Sequence, residues 1–341
     1  MPSQTPRPRG ETQREPASTL ERVLRAGKFA VTAEIVPPKV PSLNAVTKKV
    51  NLLRDIVDGI NITDNASAAV KMASLTVCTH IAQLGAEPVL QVTARDRNRL
   101  AIQADMIGAV AMGVKNVFAV TGDYITMGDH PATKPVYDMD SVQIVQMLDG
   151  MRKGFLECGD ELRTSPRFPI HYPNFFLGAA ANPFADPLPM HIIKTAKKRA
   201  AGADFIQSQC TFDMPRFREF MKMYVDAGLH EQLYFLAGIM PCKSCRPLEF
   251  MQASVPGMRI PDALIERVRG AEDGAAEGVC MAVEIIEEMK EIEGVDGIHI
   301  MTVTWESVIP ELLEKTKLTP EDRGVKEIYE TAQSERAGDE A

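Results

Sequence analysis

Polar side chains follow short apolar runs at regular intervals along the chain. Nearly every run ends on hydrogen-bonding residues, namely Glu34, Thr63-Asp64-Asn65, Gln91 to Arg95, Thr121-Gly122-Asp123, Asn182, Gln207-Ser208-Gln209, Cys242 and Thr304-Trp305-Glu306. Any one of them could simply cap a loop. Because they recur at the same point of so many runs, we predict that they converge on one polar site that binds its ligand through hydrogen bonds.

The elements that would position these residues are strands that alternate with amphipathic helices, a pattern typical of βα units and a parallel sheet. The apolar runs predict eight strands, at Phe29–Val36, Gly59–Thr63, Pro88–Thr93, Asn116–Thr121, Phe175–Ala181, Phe205–Cys210, Tyr234–Met240 and Ile298–Val303. Helical patterns fill the gaps, at Leu43–Val57, Ala66–Leu84, Arg97–Met112, Ser141–Glu157, Pro189–Ala201, Met214–Ala227, Pro261–Ile292 in more than one piece, and Val308–Lys315.

Eight βα units predict a single-domain (β/α)₈ TIM barrel. The alternative is a doubly wound open sheet, which usually carries a glycine-rich turn after its first strand, and the sequence contains no G-x-G-x-x-G motif. In a barrel the chemistry lies at the carboxyl ends of the strands. The long loop from Asp123 to Asp140 would lie on that face, and its Tyr124, His130, Lys134 and Tyr137 suit a planar ligand. A second long loop, Cys158 to Asn174, would lie on the opposite face as a structural insertion.

Composition limits the domain organisation and the class of partner. We expect a disordered tail at residues 1–18, the barrel at residues 19–318, and a C-terminal helix with a charged tail at residues 319–341. The net charge of −8 argues against a nucleic-acid partner, because nucleic-acid binders concentrate basic charge on one face. No apolar stretch approaches the ~18–20 residues that a membrane span needs. Six scattered cysteines are typical of reduced thiols in the cytoplasm.

Cys242-Lys243-Ser244-Cys245 follows the seventh predicted strand, on the expected active face. A lone CxxC is a weak signal, because zinc or an iron–sulfur cluster normally needs four ligands. Cys210 and Cys280 are the cysteines that could join it. Three interpretations stay open, which are a metal or cluster site, a redox-active dithiol, and incidental thiols. We expect incidental thiols and no bound metal.

Several segments occur in an order and spacing that match a known family. They are Ala33-Glu34-Ile35-Val36-Pro37-Pro38, Val120-Thr121-Gly122-Asp123, Leu177-Gly178-Ala179-Ala180-Ala181-Asn182-Pro183, Gln209-Cys210-Thr211-Phe212-Asp213, Ala237-Gly238-Ile239-Met240-Pro241 and Arg259-Ile260-Pro261. Over residues 20–318 the sequence resembles the methylenetetrahydrofolate reductases. The resemblance implies a flavin on the carboxyl-terminal face of a (β/α)₈ barrel, where hydride passes from a reduced donor through the flavin to the folate.

The resemblance also implies catalytic and substrate-binding residues. Glu34 matches the general acid that would protonate N10 of methylenetetrahydrofolate as its five-membered ring opens, and its alternative role is an ion pair with Arg95 or Lys39. Asp123 matches an acidic residue near the flavin and the pterin, and its alternative role is a loop cap. Gln209 matches a glutamine that contacts the folate. Phe250 would stack on the folate or the nicotinamide, or else belong to the core.

Flavin contacts are implied at nine positions, which are Thr63, Gln91, Thr121, Gly122, Asp123, Tyr137, Asn182, His191 and Lys198. Lys198 would reach the flavin phosphate; Lys194 and Lys197 compete for that role, and any of the three could be a solvated surface residue. The sequence departs from the family pattern where Gln91 replaces a histidine, Asn182 an aromatic residue, His191 an acidic residue, and Thr121 and Trp305 arginines. These departures leave the flavin open between FAD and FMN, with FAD favoured, and put the contact to the folate glutamate tail in doubt.

The resemblance favours a reductase that converts methylene- to methyltetrahydrofolate, supplied with electrons by NAD(P)H or by an electron-delivering partner subunit. We therefore expect a homo-oligomer or a hetero-complex. The alternative is a non-catalytic folate-binding or scaffold subunit of a larger redox or methyl-transfer complex. An unrelated barrel enzyme such as an aldolase is disfavoured, because no lysine suited to a Schiff base stands clearly at a strand end.

Overall fold

Eight short parallel strands close into a barrel. In the computed structural model, which describes residues 14–162, 172–255 and 257–339, they are β1 (Ala30–Ile35), β2 (Gly59–Ile62), β3 (Pro88–Thr93), β4 (Asn116–Val120), β5 (Phe176–Ala181), β6 (Phe205–Cys210), β7 (Tyr234–Ile239) and β8 (Gly297–Ile300). Each strand pairs with the next, and β8 pairs with β1. The predicted fold, a single-domain (β/α)₈ TIM barrel, is confirmed, and the doubly wound sheet is excluded.

Helices cover the outside of the barrel. They are α1 (Thr19–Arg25), α2 (Asn44–Leu53), α3 (Ser74–Gln83), α4 (Arg99–Ala111), α5 (Ser141–Arg152), α6 (Leu188–Ala201), α7 (Met214–Asp226), α8 (Cys245–Ser254), α9 (Asp262–Gly270), α10 (Gly274–Lys290), α11 (Ile309–Lys315), α12 (Pro320–Arg323) and α13 (Lys326–Asp339). Apolar residues at helical spacing face the strands, as Val46, Val50 and Leu53 do on α2. Burial of such faces stabilises the outer layer.

Three helical segments differ from the prediction. Neither α1 nor α8 is visible in the sequence pattern, and the predicted helix Ala66–Leu84 is interrupted. Ala66–Ala68 forms a 3₁₀ turn, and α3 begins only at Ser74. The break follows from the backbone, because Asn65, Ser67 and Ala68 have φ of 47°, 57° and 54°, which a continuous right-handed helix excludes.

The amino-terminal end of the barrel is closed by α1 and α13. Leu20 of α1 and Tyr329 of α13 join Phe176 and Phe205 in one buried cluster, in which the two phenylalanine rings stack with centroids 4.8 Å apart. The segment 319–341, predicted as a helix and a charged tail, thus includes two helices, and α13 contributes to this core. Residues 340–341 lie outside the described residues.

A buried ion pair anchors the C-terminal segment to the barrel. Arg323 Nη1 donates to Asp58 Oδ2 at 2.6 Å, and the Tyr329 hydroxyl donates to Asp58 Oδ1 at 2.6 Å. The amide of Val31 also donates to Asp58 Oδ2 at 2.6 Å. Asp58 is fully buried, so three donors replace the water that its carboxylate loses on folding.

Two predicted irregular segments are described only in part. Of the expected tail at residues 1–18, residues 14–18 are described, and Ser18 Oγ accepts the amide N–H of Glu21 at 3.1 Å as the cap of α1. Of the predicted loop from Cys158 to Asn174, residues 163–171 lie outside the described residues. Within the part of the chain that the structure describes, no helix is long and apolar enough to cross a membrane.

Candidate active site

Glu34 lies at the carboxyl end of β1, with 18% of its side chain exposed. Two polar side chains approach the same oxygen of its carboxylate. Gln91 Nε2, from β3, donates to Glu34 Oε2 at 3.1 Å, and His299 Nε2, from β8, lies 3.7 Å from that oxygen. Among the described residues, Oε1 has no hydrogen-bond partner, so one oxygen is held and the other is available for a ligand.

The alternative role for Glu34, an ion pair with Arg95 or Lys39, is wrong. Arg95 is buried, and its Nε donates to Asp96 at 2.7 Å. Lys39 Nζ pairs instead with Asp129 at 2.9 Å. Both cations therefore hold loops together around the rim of the barrel, and neither pairs with the Glu34 carboxylate.

A layer of buried polar side chains lies one step below Glu34. Thr32, on the same face of β1, has its Oγ1 2.9 Å from His299 Nδ1. Gln207 of β6 donates from Nε2 to Thr32 Oγ1 and to Asn61 Oδ1, both at 3.1 Å. None of the four residues Thr32, Asn61, Gln207 and His299 is more than 3% exposed. Such a satisfied network is rigid, and it supports the carboxylate above it.

Asp123 and Gly122 begin the long loop after β4. Asp123 is exposed, and its Oδ2 accepts the backbone N–H of Ser67 at 2.7 Å. The carboxylate thus caps the loop after β2, whereas the alternative role is a cap of its own loop after Thr121-Gly122. Gly122 has φ +94°, and a Cβ there would lie 2.9 Å from Thr93 Oγ1. Glycine is therefore required where the chain turns away from β4.

Four further predicted flavin contacts lie at strand ends or in the loop after β4. Thr63 is 4% exposed, and its Oγ1 is buried without a hydrogen-bond partner. Gln91 holds Glu34, and Thr121 Oγ1 donates to Ser141 Oγ at 3.2 Å. Tyr137 is 36% exposed with φ of 40°. The unpaired hydroxyl of Thr63 marks a place where a ligand would satisfy a buried polar atom.

The three lysines of α6 differ in their surroundings. Lys194 and Lys197 are exposed, whereas Lys198 is half-buried and its Nζ donates to the Ala180 carbonyl oxygen of β5. Burial lowers the pKa of Lys198 to about 8, with Lys194 adding a like charge. His191, two turns before Lys198 on α6, has its pKa lowered by burial and by Lys194 and Lys198. Lys198 is thus the lysine of α6 held against the barrel.

The remaining predicted site residues make local contacts. Gln209 Oε1 accepts the amide N–H of Cys210 at 3.0 Å. Asn182 bridges two loops, because its Oδ1 accepts the N–H of Phe184 at 2.9 Å and its Nδ2 donates to the Gly257 carbonyl at 3.3 Å. Phe250 lies on α8 with 65% exposure, so its alternative assignment to the core is wrong.

Two features of the site are missing from the sequence prediction. His299 is a polar residue within the apolar strand β8, and a histidine in such a run is the sequence signal that would have identified it. Lys243 Nζ lies over the Trp305 ring, 5.1 Å from the centroid, which brings a cation from the loop after β7 to the loop after β8. The nearness of these two loops follows from the pairing of β7 with β8 and not from local pattern.

A family model for methylenetetrahydrofolate reductase matches residues 19–317, most of the chain. The chain belongs to the methylenetetrahydrofolate reductase family. The solved structures similar to it include a protein from Clostridium thermocellum described as binding two copies of 5-methyl-5,6,7,8-tetrahydrofolic acid. That match has a TM-score of 0.59 and 17% identity, and covers 91% of this chain and 100% of that one.

Two other solved structures share the barrel at lower identity. EDTA monooxygenase from Chelativorans sp. BNC1 matches with a TM-score of 0.54 and 10% identity, covering 91% of this chain and 98% of that one. Riboflavin lyase, solved with modified FMN and riboflavin, matches with a TM-score of 0.53 and 10% identity, covering 87% of this chain and 92% of that one. At these identities the likeness concerns the fold alone.

The cysteines of this reductase-family chain are free thiols. Burial raises the pKa of Cys242 to about 12, and burial also raises the pKa of Cys210 well above its usual range. Within the described residues, no three histidine, cysteine or acidic side chains form a group that could hold a metal ion. A thiol that keeps its proton is a poor nucleophile and a poor metal ligand, so burial makes Cys210 and Cys242 poorly suited to either role.

Proposed function

We propose that this chain is a flavin-dependent methylenetetrahydrofolate reductase in which Glu34 is the general acid. The observation that carries the proposal is the geometry of Glu34. A carboxylic acid stands in the mouth of the barrel with one oxygen held by Gln91, while the other has no hydrogen-bond partner among the residues that the structure describes. A general acid needs this combination of fixed orientation and an accessible oxygen.

The residues of the chain divide the folate chemistry among them. Glu34 gives its proton to N10 as the C–N bond of the five-membered ring breaks, which leaves a 5-iminium cation on the substrate. Asp123, exposed beside the mouth, lies where a pterin hydrogen bond is proposed, and its negative charge would stabilise the cation. A flavin, when bound, supplies the hydride that the iminium carbon accepts.

Flavin binding is proposed at Thr63, Gln91, Thr121, Gly122, Asp123, Tyr137, Asn182, His191 and Lys198. The family typically depends on a flavin, and the buried, unpaired Oγ1 of Thr63 supports a ligand at this edge of the barrel. The half-buried position of Lys198 supports the binding of an anionic group near α6, because a phosphate would stabilise the charged form of the lysine. We propose FAD in preference to FMN.

Substrate binding is proposed at Asp123, Gln209 and Phe250. Phe250 is exposed on α8, so its ring is free to stack on an aromatic part of the folate. We add Lys243, which carries a positive charge next to Trp305, where the sequence lacks an arginine for the glutamate tail. The Clostridium thermocellum protein of the same fold, described as binding 5-methyltetrahydrofolate, supports a folate as the substrate.

Anaerobic spectroscopy of the purified protein tests the proposal. The expected protein is yellow with absorbance near 450 nm, and methyltetrahydrofolate bleaches that band by the reverse half-reaction. NADH and NADPH are added to separate samples, since bleaching by methyltetrahydrofolate alone indicates that a partner subunit delivers the electrons. A colourless protein that does not reduce added flavin, yet binds methyltetrahydrofolate in calorimetry, would instead support the folate-binding scaffold.

A further inference from the structure

The ring of His299 is held by buried side chains from three other strands. Asn61 and Gln207 exchange two hydrogen bonds, from Asn61 Nδ2 to Gln207 Oε1 at 2.7 Å and from Gln207 Nε2 to Asn61 Oδ1 at 3.1 Å. This pairing turns Gln207 Nε2 towards His299, 3.3 Å from Nδ1. Thr32 Oγ1 lies 2.9 Å from the same nitrogen. Its hydroxyl, which accepts from Gln207 Nε2 at 3.1 Å, can donate to the ring.

These contacts select one tautomer of His299. Gln207 Nε2 gives its two hydrogens to Asn61 Oδ1 and Thr32 Oγ1. The one hydrogen of the Thr32 hydroxyl has a shorter contact to Nδ1, at 2.9 Å, than to the Ile298 carbonyl oxygen, at 3.4 Å, so Nδ1 is the acceptor and the ring hydrogen is on Nε2. Nε2 faces Glu34 Oε2 at 3.7 Å. The opposite tautomer would set the lone pair of Nε2 against the lone pairs of a carboxylate, which is repulsive. The Nε2–H of His299 therefore faces Glu34 from below the mouth of the barrel. Thr32 fixes the ring through Nδ1, as a hydrogen bond to one ring nitrogen sets the protonation of the other in many enzymes.

Two N–H groups consequently meet on a single oxygen of Glu34. Gln91 Nε2 donates a hydrogen bond to Oε2 from β3, and the Nε2–H of His299 faces Oε2 from β8 at 3.7 Å, beyond hydrogen-bond distance but close enough for electrostatic attraction. N–H groups that face one carboxylate oxygen stabilise negative charge on that oxygen. The proton of the neutral acid is then favoured on the other oxygen, Oε1, which has no partner among the described residues.

We propose that His299 is a positioning residue that directs the acidic proton of Glu34 to Oε1. The inference rests on the proposed role of Glu34 as general acid. In the reaction, the O–H bond at Oε1 breaks, the proton joins the substrate nitrogen, and the electron pair of the breaking C–N bond forms the new N–H bond. The charge left on Glu34 is held at Oε2 by Gln91 and His299, and solvent returns the proton to Oε1 after the product leaves.

The tautomer of His299 is tested directly by NMR, without any assay of activity. Two-bond ¹H–¹⁵N spectra of protein labelled at its six histidines distinguish Nε2–H from Nδ1–H rings. The signal of His299 is assigned from its loss in His299→Gln or, should that variant fail to fold, from its shift in Thr32→Ser. The expected pattern is Nε2–H. An Nδ1–H or doubly protonated ring would overturn the inference.

Kinetics tests the effect on Glu34. We measure the pH profile of flavin reduction by methyltetrahydrofolate in single turnover for His299→Leu and His299→Gln. Loss of the N–H in His299→Leu weakens the stabilisation of the carboxylate. The part of the pH profile that depends on the ionisation of Glu34, its acidic limb, is therefore expected to move up by about one pH unit, and the rate at neutral pH is expected to fall about tenfold. His299→Gln keeps an N–H near the same place and is expected to restore the wild-type limb.

Two further variants separate the effect of His299 on Glu34 from other effects. Among the described residues, the titratable groups that face Glu34 are His299 from β8 and Cys210 from β6, so Cys210→Ala is measured in parallel to exclude the thiol as the source of the limb. Asn116→Ala is the structural control, since Asn116 is buried at the opposite end of the barrel and bonds Glu87 at 2.9 Å. It is expected to lower stability and leave the pH profile unchanged.

Failure of the proposed function has a different signature. Wild-type protein that neither binds flavin nor reacts with methyltetrahydrofolate would refute the reductase, whereas the NMR result would still decide the tautomer. An active wild type whose His299→Leu variant keeps an unshifted pH profile would refute the role of His299 and leave the reductase intact.

Discussion

Replacement of Lys198 by methionine should stabilise the flavin-free protein. Burial lowers the pKa of Lys198 to about 8 in the fold, against an ordinary value of about 10.4 in the unfolded chain. The folded state therefore binds fewer protons than the unfolded state between these two pH values, and stability rises with pH across that window. The penalty for burying the charge is full below pH 8 and is gone above about pH 10.4.

The size of the effect follows from the same two values. A difference of roughly 2.4 pKa units corresponds to about 3 kcal/mol at about 1.4 kcal/mol per unit. Lys198→Met removes this penalty and also the hydrogen bond to the Ala180 carbonyl, which contributes about 1 kcal/mol. We therefore expect a gain of about 2 kcal/mol in the free energy of unfolding at pH 7, which fades as the pH approaches 10.

Urea denaturation of flavin-free wild type and variant at pH 7, 8.5 and 10 measures the difference. Lys197→Met is the matched control, because Lys197 is the exposed neighbour on α6 and its replacement should change stability by no more than about 0.5 kcal/mol. Flavin affinity should move in the opposite direction and fall in Lys198→Met only. A Lys198→Met variant that is less stable than wild type at pH 7, or a stability difference that is the same at pH 7 and pH 10, would show that burial of the lysine charge is not the cause.

Three further outcomes are expected. Arg323→Leu leaves the Asp58 carboxylate buried without its cation, so the free energy of unfolding should fall by about 3–5 kcal/mol; a loss under 1 kcal/mol in urea denaturation would contradict this. Cys242, whose pKa burial raises to about 12, should resist iodoacetamide at pH 8 while the exposed thiols react; early alkylation of Cys242 in mass spectrometry would favour a redox dithiol. Lys243→Ala should raise the KM for the folate about fivefold to tenfold, with Lys243→Arg close to wild type, because the charge over Trp305 attracts the glutamate tail; equal KM values for all three proteins would exclude that role.

The strands were predictable because their pattern is local. In β7, six consecutive residues are buried on both faces, so the apolar run is continuous and cannot be mistaken for an exposed segment. The interruption before α3 was not predictable in the same way. It depends on left-handed backbone at Ser67 and Ala68, residue types that seldom adopt it, and tertiary contacts override the helical pattern there.

The candidate site was predictable only in outline. Glu34 stands out as a carboxylic acid at the end of an apolar strand, and its position in the mouth followed from the barrel. The partners of Glu34 could not be predicted, because the approach of Gln91 and His299 depends on strand register and side-chain direction across the closed barrel. The contact between Lys243 and Trp305 could not be predicted for the same reason. The two residues lie far apart in sequence and meet because β7 and β8 are neighbours.

The most direct test of the account compares wild type with Glu34→Gln in the anaerobic folate half-reaction. Glutamine keeps the size of the side chain and its hydrogen-bonding capacity, but it has no acidic proton to exchange with the substrate nitrogen. Glu34→Gln should retain the flavin spectrum and bind methyltetrahydrofolate, while bleaching near 450 nm slows by at least about a hundredfold. Bleaching at the wild-type rate would show that Glu34 is not the general acid.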